Sequence, residues 1–266
     1  MKISIITTFY NSSEYISECI NSVQNIHSEH DVEHILVNDG STDNTLDIIT
    51  TSKYKNVRVI GKNHIGRGAA LNLGLENATG YYICILDSDD LINPKWIDFF
   101  LKNYSKYDRA GIFFGQITTN MNIYKSYKPP SLISQNILNP SKILFYNPIC
   151  HSGAIFKRNT AIHINGYSTS LKSQFDWDLW LRLSFINENF VEIDYLTAFK
   201  RLHPNQSFES KKHFFYTIRG VALQLKAVMS IKLVYFVPVF IFAILRIIWS
   251  FFPRKLRTSR LFDMLR

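Results

Sequence analysis

Short apolar runs alternate with helix-like stretches over the first 90 residues, and this alternation constrains the fold more than any other feature. The strand-like runs are "ISIITTF", "EHILVND", "VRVIG" and "YYICILD". Between them lie three stretches with helical spacing or helix-start signals, "SSEYISECINSVQNI", "STDNTLDIITTS" and "RGAALNLGLENA". Strand–helix–strand alternation predicts an α/β fold with a mostly parallel, Rossmann-like sheet flanked by helices.

The size and composition of the chain fit a globular protein with a sizeable core. Its 266 residues allow one large α/β domain or two smaller ones. Hydrophobic residues make up 46% of the chain and charged residues 19%, which excludes an intrinsically disordered protein. The three cysteines are far apart and have no metal-binding spacing, so we predict buried free thiols and a reducing compartment.

Carboxylates cluster where two of the predicted strands end. Asp39 follows the second strand, and Asp87, Asp89 and Asp90 follow the fourth. Ligands of parallel sheets collect at the carboxyl ends of the strands. Neighbouring carboxylates repel one another unless a cation lies among them, and Mg²⁺ and Mn²⁺ favour oxygen ligands. The D-x-D pattern therefore predicts a divalent-metal site. A solvated turn, or a helix N-terminus capped by Asp90, is the alternative.

Two more acids, Asp176 and Asp178, open the stretch "FDWDLWLRLSF". Either carboxylate could act as a general base. The stretch itself predicts an amphipathic helix. Its apolar face would consist of Phe175, Leu179, Leu183 and Ile186.

Five stretches in a fixed order carry a resemblance to a known family. They are "SIITTFYNSSEYISECINSV", "ILVNDGSTDNT", "NHIGRGAALNLGLENATGYYICILDSDD", "FDWDLWLRL" and "RLHPNQS". Together they span residues 4–207, and over this length the chain resembles the family 2 glycosyltransferases, which have the GT-A fold. The resemblance implies a metal-dependent, inverting enzyme that transfers a sugar from a nucleoside-diphosphate donor, with UDP as the expected nucleotide, to a hydroxyl acceptor.

The resemblance implies three parts of the chain. Residues 1–115 would form the nucleotide-sugar-binding half of the GT-A domain, and residues 116–210 the acceptor-binding and catalytic-base half. Residues 211–266 would form a C-terminal helical region that associates with the membrane. The irregular segment 111–160 is expected to cross over the sheet and to help form a wall on the acceptor side.

The resemblance also implies roles for individual residues. Asp39 would bind the uracil ring, Asp87 the ribose or the metal shell, and Asp89 the Mn²⁺ or Mg²⁺ ion on the diphosphate. Asp176 aligns with the catalytic base of the family. The other nucleotide-sugar-binding candidates are Thr8, Tyr10, Glu14, Arg67, Asn72, Ser88, Arg201 and His203. The last two form an R-x-H element that is expected near the pyrophosphate.

The chain departs from the family pattern at three positions. Thr8 stands where proline is usual, which removes no needed group. Leu71 replaces a frequent arginine, so Arg67 is expected to supply that charge. Phe175 replaces a common acidic residue, which favours Asp176 over Asp178 as the base.

Two other functional classes compete with this interpretation. A dinucleotide-binding oxidoreductase would use Gly66-x-Gly68 after a strand, with Asp87 ending the next strand, but its third glycine position is Leu71 and it needs one acid where three occur. A non-catalytic membrane adaptor that only binds nucleotide should lack a metal-binding or base carboxylate. Here all of the candidate carboxylates are present.

The region 231–252 is strongly apolar and raises the question of a membrane span. Thirteen uncharged residues run from Leu233 to Leu245, and as a helix they would cover about 20 Å of a hydrocarbon core of about 30 Å. Pro238 and Arg246 interrupt the run, and basic residues flank it on both sides. We predict that residues 231–266 lie on or dip into the cytoplasmic leaflet and do not cross the membrane. A single span and a soluble core helix are the alternatives.

The charge distribution indicates the expected partners. The net charge is +9, and the last 13 residues carry five Arg or Lys against one Asp, which favours anionic lipid over nucleic acid; no nucleic-acid partner is predicted. The N-terminus lacks the features of a signal peptide. We therefore expect a peripheral or monotopic protein on the cytoplasmic face of the inner membrane. Its partners would be a nucleotide-sugar donor and a glycan or lipid-linked acceptor of bacterial surface-polysaccharide synthesis.

Overall fold

The computed structural model describes residues 2–26, 31–61, 63–107, 110–186, 188–203, 213–231 and 233–251. The chain divides into two compact units. The first consists of residues 1–138, 149–170 and 188–201, and the second of residues 139–148, 171–187 and 202–266.

The first unit opens with the predicted alternation of strands and helices. Its elements are β1 (Lys2–Phe9), α1 (Ile16–Gln24), β2 (Asp31–Asn38), α2 (Thr45–Thr51), β3 (Val57–Ile60), α3 (Arg67–Asn77) and β4 (Tyr82–Ile85). β1 pairs in parallel with both β2 and β4, and β2 pairs in parallel with β3. The four predicted strands and three predicted helices are confirmed.

The rest of the first unit extends this sheet. It adds β5 (Leu91–Ile92), α4 (Pro94–Asn103), β6 (Ala110–Thr118), α5 (Met121–Ser126), β7 (Gln135–Leu138), β8 (Ile155–Lys157), α6 (Arg158–His163) and β9 (Asn189–Phe199). The strand order is β3-β2-β1-β4-β8-β6-β9-β5, and β7 also pairs with β9. β8 runs antiparallel to β4 and β6, whereas β6 and β9 are parallel. The sheet therefore consists of a parallel half, formed by β1 to β4, and a half with mixed strand directions.

The core of the first unit holds the strand ends in place. Ile3 and Ile5 of β1 pack with Cys19 of α1 and with Trp96 of α4 in one buried cluster. On α3, a Cβ at Gly74 would come within 2.5 Å of the Ile6 side chain, so glycine lets this helix lie close to β1. The carboxyl ends of β1, β2 and β4 therefore form one edge. The cysteines are free, as predicted.

The segment 111–160 differs from its expected irregular course, because it supplies strands β6, β7 and β8 to the sheet. β8 has only three residues, and three of the four residues of β7 are exposed. Neither strand therefore has the alternation or the apolar run by which strands are predicted.

The second unit is helical. A 3-10 turn at Pro140–Leu144 precedes α7 (Phe175–Phe185), α8 (His213–Ile231), a second 3-10 turn at Leu233–Tyr235 and α9 (Phe236–Ser250). The prediction of a helix at α7 is confirmed, but that of one apolar face is wrong. Ile186 follows the helix and is exposed, and buried residues occur on several sides of the helix. They are Trp177, Leu179, Trp180, Leu181, Leu183 and Ser184.

The apolar helix α9 continues through Pro238 and Arg246, the two residues that interrupt the apolar run in the sequence. Pro238 lies in its first turn, where a helix tolerates proline, and Arg246 is 3% exposed. Among the described residues, one helical segment, Leu233–Ser250, is long and apolar enough to cross a membrane by length and composition alone.

Candidate active site

Three acidic side chains follow β4 and converge. Carboxylate oxygens of Asp87, Asp89 and Asp90 all lie within 4.8 Å of one another. Asp90 is buried, and its two oxygens accept hydrogen bonds from the Ser152 hydroxyl at 2.6 Å and from the Arg201 backbone N–H at 3.0 Å. Asp90 is thus a support of the loop, and Asp87 and Asp89 are its more accessible acids.

Asp90 does not cap the following helix, so one form of the alternative interpretation, a helix N-terminus capped by Asp90, is wrong. Helix α4 begins four residues later, at Pro94, and the Asn93 side chain caps it by accepting the Lys95 N–H at 3.1 Å. The acidic cluster is therefore not explained by helix capping.

The electrostatics of the cluster fit a divalent cation. Burial and the charges of Asp87 and Asp89 raise the pKa of Asp90 to about 8. Burial alone would also raise the pKa of Asp87, but the adjacent Arg67 and His151 outweigh it and lower that pKa. Asp87 and Asp89 offer hard carboxylate oxygens, the donors that Mn²⁺ or Mg²⁺ takes, and Asp90 supports their loop, so the residues present fit the expected metal.

Several side chains contact or support Asp87. Arg67, the first residue of α3, donates to its carboxylate at 2.5 Å. His151 lies 3.8 Å from the same oxygen, and its other ring nitrogen lies 2.8 Å from the Tyr167 hydroxyl. The Asn72 carboxamide bonds to the backbone N–H and carbonyl of Tyr167 at 2.7 and 2.8 Å. Arg67 thus contacts the cluster, whereas Asn72 acts on it through Tyr167 and His151.

Asp39 occupies the end of β2 and organises the start of α3. Its carboxylate accepts the backbone N–H groups of Ile65 and Gly66 at 2.7 and 3.0 Å. Gly66 has φ 86°, which favours glycine. A Cβ at Gly40 would lie 2.6 Å from the His64 backbone nitrogen, so this turn also needs glycine. Asp39 is buried, and one of its oxygens is already engaged by the 64–66 segment.

Arg201 lies directly at the acidic loop. Its Nε donates to the Asp89 carbonyl at 3.0 Å, and its Nη2 donates to Glu18 at 2.6 Å. The guanidinium also lies 4.9 Å from the centre of the Tyr15 ring. Arg201 is therefore held beside the predicted metal ligand by Glu18 of α1, a residue that the family pattern does not mark.

The remaining nucleotide-side candidates lie around the same edge. The Ser88 hydroxyl is 2.9 Å from the Ser12 hydroxyl. Thr8 is half-buried near the end of β1, and Tyr10 follows that strand with its ring 5.0 Å from the ring of His64. Glu14 is exposed in the turn before α1, and its carboxylate raises the pKa of the Tyr15 hydroxyl.

Asp176 belongs to the second unit, in the first turn of α7. Its Oδ2 accepts a hydrogen bond from the Asn147 side chain at 2.8 Å. Asp178 lies two residues further along and pairs with Arg182, whose Nε and Nη2 donate to one of its oxygens at 2.9 and 2.6 Å. The two acids therefore have different surroundings. His203 also lies in this unit, half-buried.

Sequence reasoning missed four supports of these acids: Glu18, His151, Ser152 and Asn147. "CHSG" at 150–153 does hold a histidine and a serine after an apolar run, which is a weak signal. Asn147 has no local signal, because it gains its role from a contact 29 residues along the chain.

Comparison with known proteins agrees with this architecture. The model of the family Glycosyl transferase family 2 matches residues 4–172. Chondroitin synthase from Pasteurella multocida (strain Pm70) is 30% identical over 223 residues, which are 80% of this chain and 22% of that synthase. The chain thus spans less than a third of that relative's length.

Two solved structures share the fold at low sequence identity. S. aureus TarS 1–349 in complex with UDP-GlcNAc has a TM-score of 0.70 and 19% identity, covering 98% of this chain and 77% of that chain. Mannosyltransferase PcManGT from Pyrobaculum calidifontis, in complex with GDP-Man and Mn²⁺, has a TM-score of 0.64 and 16% identity, covering 93% and 71%. With the GT-A fold and a family model that matches more than half of its length, the chain belongs to glycosyl transferase family 2.

Proposed function

We propose that this protein transfers a sugar from a nucleoside-diphosphate donor, UDP in the first instance, to a hydroxyl group of a glycan acceptor, with inversion at the anomeric carbon. The observation that carries the proposal is the convergence of Asp87, Asp89 and Asp90 at the carboxyl edge of the sheet, with Arg67 and Arg201 beside them. Acids for a cation and guanidinium groups for phosphate are the chemistry that a sugar diphosphate needs.

In this proposal the donor is held by side chains of the first unit. Asp87 and Asp89 would hold Mn²⁺ or Mg²⁺, which when bound would supply positive charge to the diphosphate as it leaves. The second oxygen of Asp39, Oδ2, which lies 3.4 Å from Nδ1 of His64, would accept from the base, while the backbone N–H groups of Ile65 and Gly66 keep the carboxylate oriented through Oδ1. The family membership removes the dinucleotide-binding oxidoreductase from consideration.

Asp176 would act as the general base of the reaction. It would take the proton of the acceptor hydroxyl as that oxygen forms a bond to the anomeric carbon and the bond to the diphosphate breaks. Asn147 orients the carboxylate by a hydrogen bond to one oxygen, which leaves the other oxygen for the proton. Asp178 is the poorer candidate, because its charge is neutralised by Arg182.

We further propose a cell-surface polysaccharide or a lipid-linked glycan as the product. Support comes from the chondroitin synthase relative and from the exposed apolar segment Leu233–Ser250. Contact of residues 231–266 with the cytoplasmic face of the inner membrane would bring the enzyme to a lipid-bound acceptor. Of this region, residues 232 and 252–266 lie outside the described residues.

The experiment is a panel of UDP-sugars and GDP-sugars incubated with the full chain, with release of nucleoside diphosphate as the signal. We expect one UDP-sugar to be turned over in Mn²⁺ or Mg²⁺ and no turnover in excess chelator. Binding of a nucleotide sugar without turnover of any, in the presence of a glycan acceptor mixture, would instead identify a non-catalytic adaptor.

A further inference from the structure

The apolar helix α9 contains one charged residue, Arg246, and this residue is buried. Its Nη1 donates to the Gln224 side chain at 3.0 Å, and its guanidinium lies 5.0 Å from the centre of the Trp177 ring. A buried guanidinium is costly unless it is paired and hydrogen-bonded. The partners on α8 and α7 therefore fix the position of α9 along its axis, because a shift of one residue would separate them.

Gln224 connects α9 to the segment 139–148. Its carboxamide is fully buried, and while its oxygen accepts from Arg246, its Nε2 donates to the carbonyls of Leu144 and Phe145 at 3.0 and 2.5 Å. The rings of Phe145 and Phe242 also meet edge to face, with centroids 5.7 Å apart. The segment is thus held by α8 and α9.

The same segment holds the proposed base. Asn147, two residues after Phe145, donates to the Asp176 carboxylate at 2.8 Å. Trp177, the residue after Asp176, donates its ring N–H to the Ile143 carbonyl at 2.8 Å. Arg246 is therefore linked to both supports of Asp176: Gln224 connects it to the segment that carries Asn147, and its guanidinium lies over the ring of Trp177.

We propose that Arg246 is a positioning residue for sugar transfer. Arg246 bonds to Gln224 and stacks on Trp177. Through these two contacts, the packing position of α9 determines the position of Asn147 and the orientation of Asp176. An apolar side chain at position 246 would still bury α9, but it would not orient the Gln224 carboxamide toward the two carbonyls. This inference rests on the proposed role of Asp176 as the base.

The main test is Arg246→Met in the full chain, which keeps the length of the side chain and removes its donors. We expect kcat for transfer to fall about 10- to 100-fold, since misplacement by about 1 Å can cost 10²-fold, while KM for the donor stays within about twofold. Arg246→Lys should restore part of kcat. The matched control is Arg219→Met on the exposed side of α8, which should leave kcat unchanged. Equal losses in both variants would overturn the proposal.

The variant Gln224→Glu tests the packing of α9 and the orientation of the segment 139–148 separately. A carboxylate still accepts from Arg246 but faces the carbonyls of Leu144 and Phe145 without a donor, so kcat should fall although α9 stays paired. In a double variant, Arg246→Met with Asn147→Ala, the loss should be no greater than that of the worse single variant, because both act through Asp176. Additive losses would show that Arg246 acts elsewhere.

A readout that needs no activity distinguishes failure of this inference from failure of the proposed function. Amide hydrogen exchange in residues 140–148 should become about tenfold faster in Arg246→Met and should not change in Arg219→Met. Unchanged exchange in Arg246→Met would refute the inference even in an active enzyme. Faster exchange in a protein that turns over no nucleotide sugar would support the structural link and reject the proposed function alone.

Discussion

At the scale of residues, Asp176 and Asp178 show why position in a motif is not enough to assign a base. Both lie in the first turn of α7, but Arg182 donates twice to Asp178, whereas Asp176 accepts one neutral hydrogen bond from Asn147. The Arg182 guanidinium thus occupies an oxygen of Asp178 that an acceptor hydroxyl would need, whereas Asn147 bonds to one oxygen of Asp176. The geometry therefore favours the same acid that the family resemblance does.

Replacing Asp176 by Asn should lower kcat for transfer by about 10²- to 10⁴-fold, the usual cost of losing a positioned base, with donor affinity unchanged. Asp178→Asn is the matched variant and should cost much less. Steady-state rates and donor titration by calorimetry measure both effects. The assignment is wrong if Asp178→Asn inactivates the enzyme while Asp176→Asn does not.

Replacing Asp89 by Ala should abolish transfer and weaken Mn²⁺ binding. Only two of the three acids would remain, and one of them, Asp90, is buried and accepts hydrogen bonds with both of its oxygens. The expected loss of turnover is roughly 10²-fold or more. Asp47→Ala, an exposed acid on α2, is the control. Calorimetric titration with Mn²⁺ in the presence of UDP checks the prediction, and an unchanged metal affinity in Asp89→Ala would contradict it.

The residues that could be predicted are those whose role follows from local order. Asp39, Asp87 and Asp89 follow apolar strands, so the sequence alone puts them at the sheet edge. His151 and Asn147 take their positions from loops that return from far along the chain, and no local pattern encodes such a return. The carboxamide of Asn72, a residue that the family resemblance places near the nucleotide sugar, bonds to the backbone of Tyr167, and the sequence pattern does not encode this contact.

At the scale of elements, strand β2 contains a buried histidine whose ionisation should make folding sensitive to acid. Its ring Nε2 lies 3.0 Å from the Thr7 hydroxyl, and Nδ1 of His34 has no hydrogen-bond partner among the described residues. Burial lowers the pKa of His34 to about 3. A histidine in the unfolded chain has a pKa of about 6.5. The contribution of neutral His34 to the free energy of unfolding is therefore fully present above that pH, and it is lost as the pH falls from about 6.5 toward 3.

The predicted loss between pH 7 and pH 5 is about 2 kcal/mol in the free energy of unfolding, because only the unfolded chain takes up the proton in that range. His34→Gln should remove this part of the pH dependence. His163→Gln, at an exposed position on α6, should retain it. Urea denaturation at the two pH values measures the difference, and the same pH dependence in His34→Gln as in the wild type would be inconsistent with the burial argument.

Elements were predictable where the sequence pattern repeats over several residues. The first four strands and three helices have such patterns, and all seven were found. The start of α4 could not be predicted from the sequence, because Asp90 and Asn93 are both capping residue types and only the fold decides between them. The three-residue strand β8 is defined by its antiparallel neighbours, β4 and β6.

At the scale of the whole molecule, the side of the membrane on which the C-terminus lies distinguishes attachment at the membrane interface from a helix that spans the membrane. Helix α9 has 15 residues and is about 22 Å long, shorter than a hydrocarbon core of about 30 Å, and the helical segment reaches a spanning length only together with the 3-10 turn at Leu233–Tyr235. Its buried residues include Val239 and Ala243, while much of its remaining apolar surface is exposed. A helix with one face on the protein and one apolar face exposed suits the membrane interface.

A reporter fused after Arg266 should therefore remain on the cytoplasmic side of intact cells, and the protein should need detergent for its extraction. The same fusion with a known spanning helix inserted before the reporter serves as the positive control for export. A periplasmic reporter signal from the unmodified chain would mean that the apolar segment crosses the bilayer.

The measurement that tests the central claim most directly is the anomeric configuration of the product, read by nuclear magnetic resonance as it forms from an α-linked UDP-sugar. One base, Asp176, and a direct attack on the anomeric carbon predict a β-linked product as the first species to appear. An α-linked product would require two successive displacements or a different mechanism, and it would contradict the role given to Asp176.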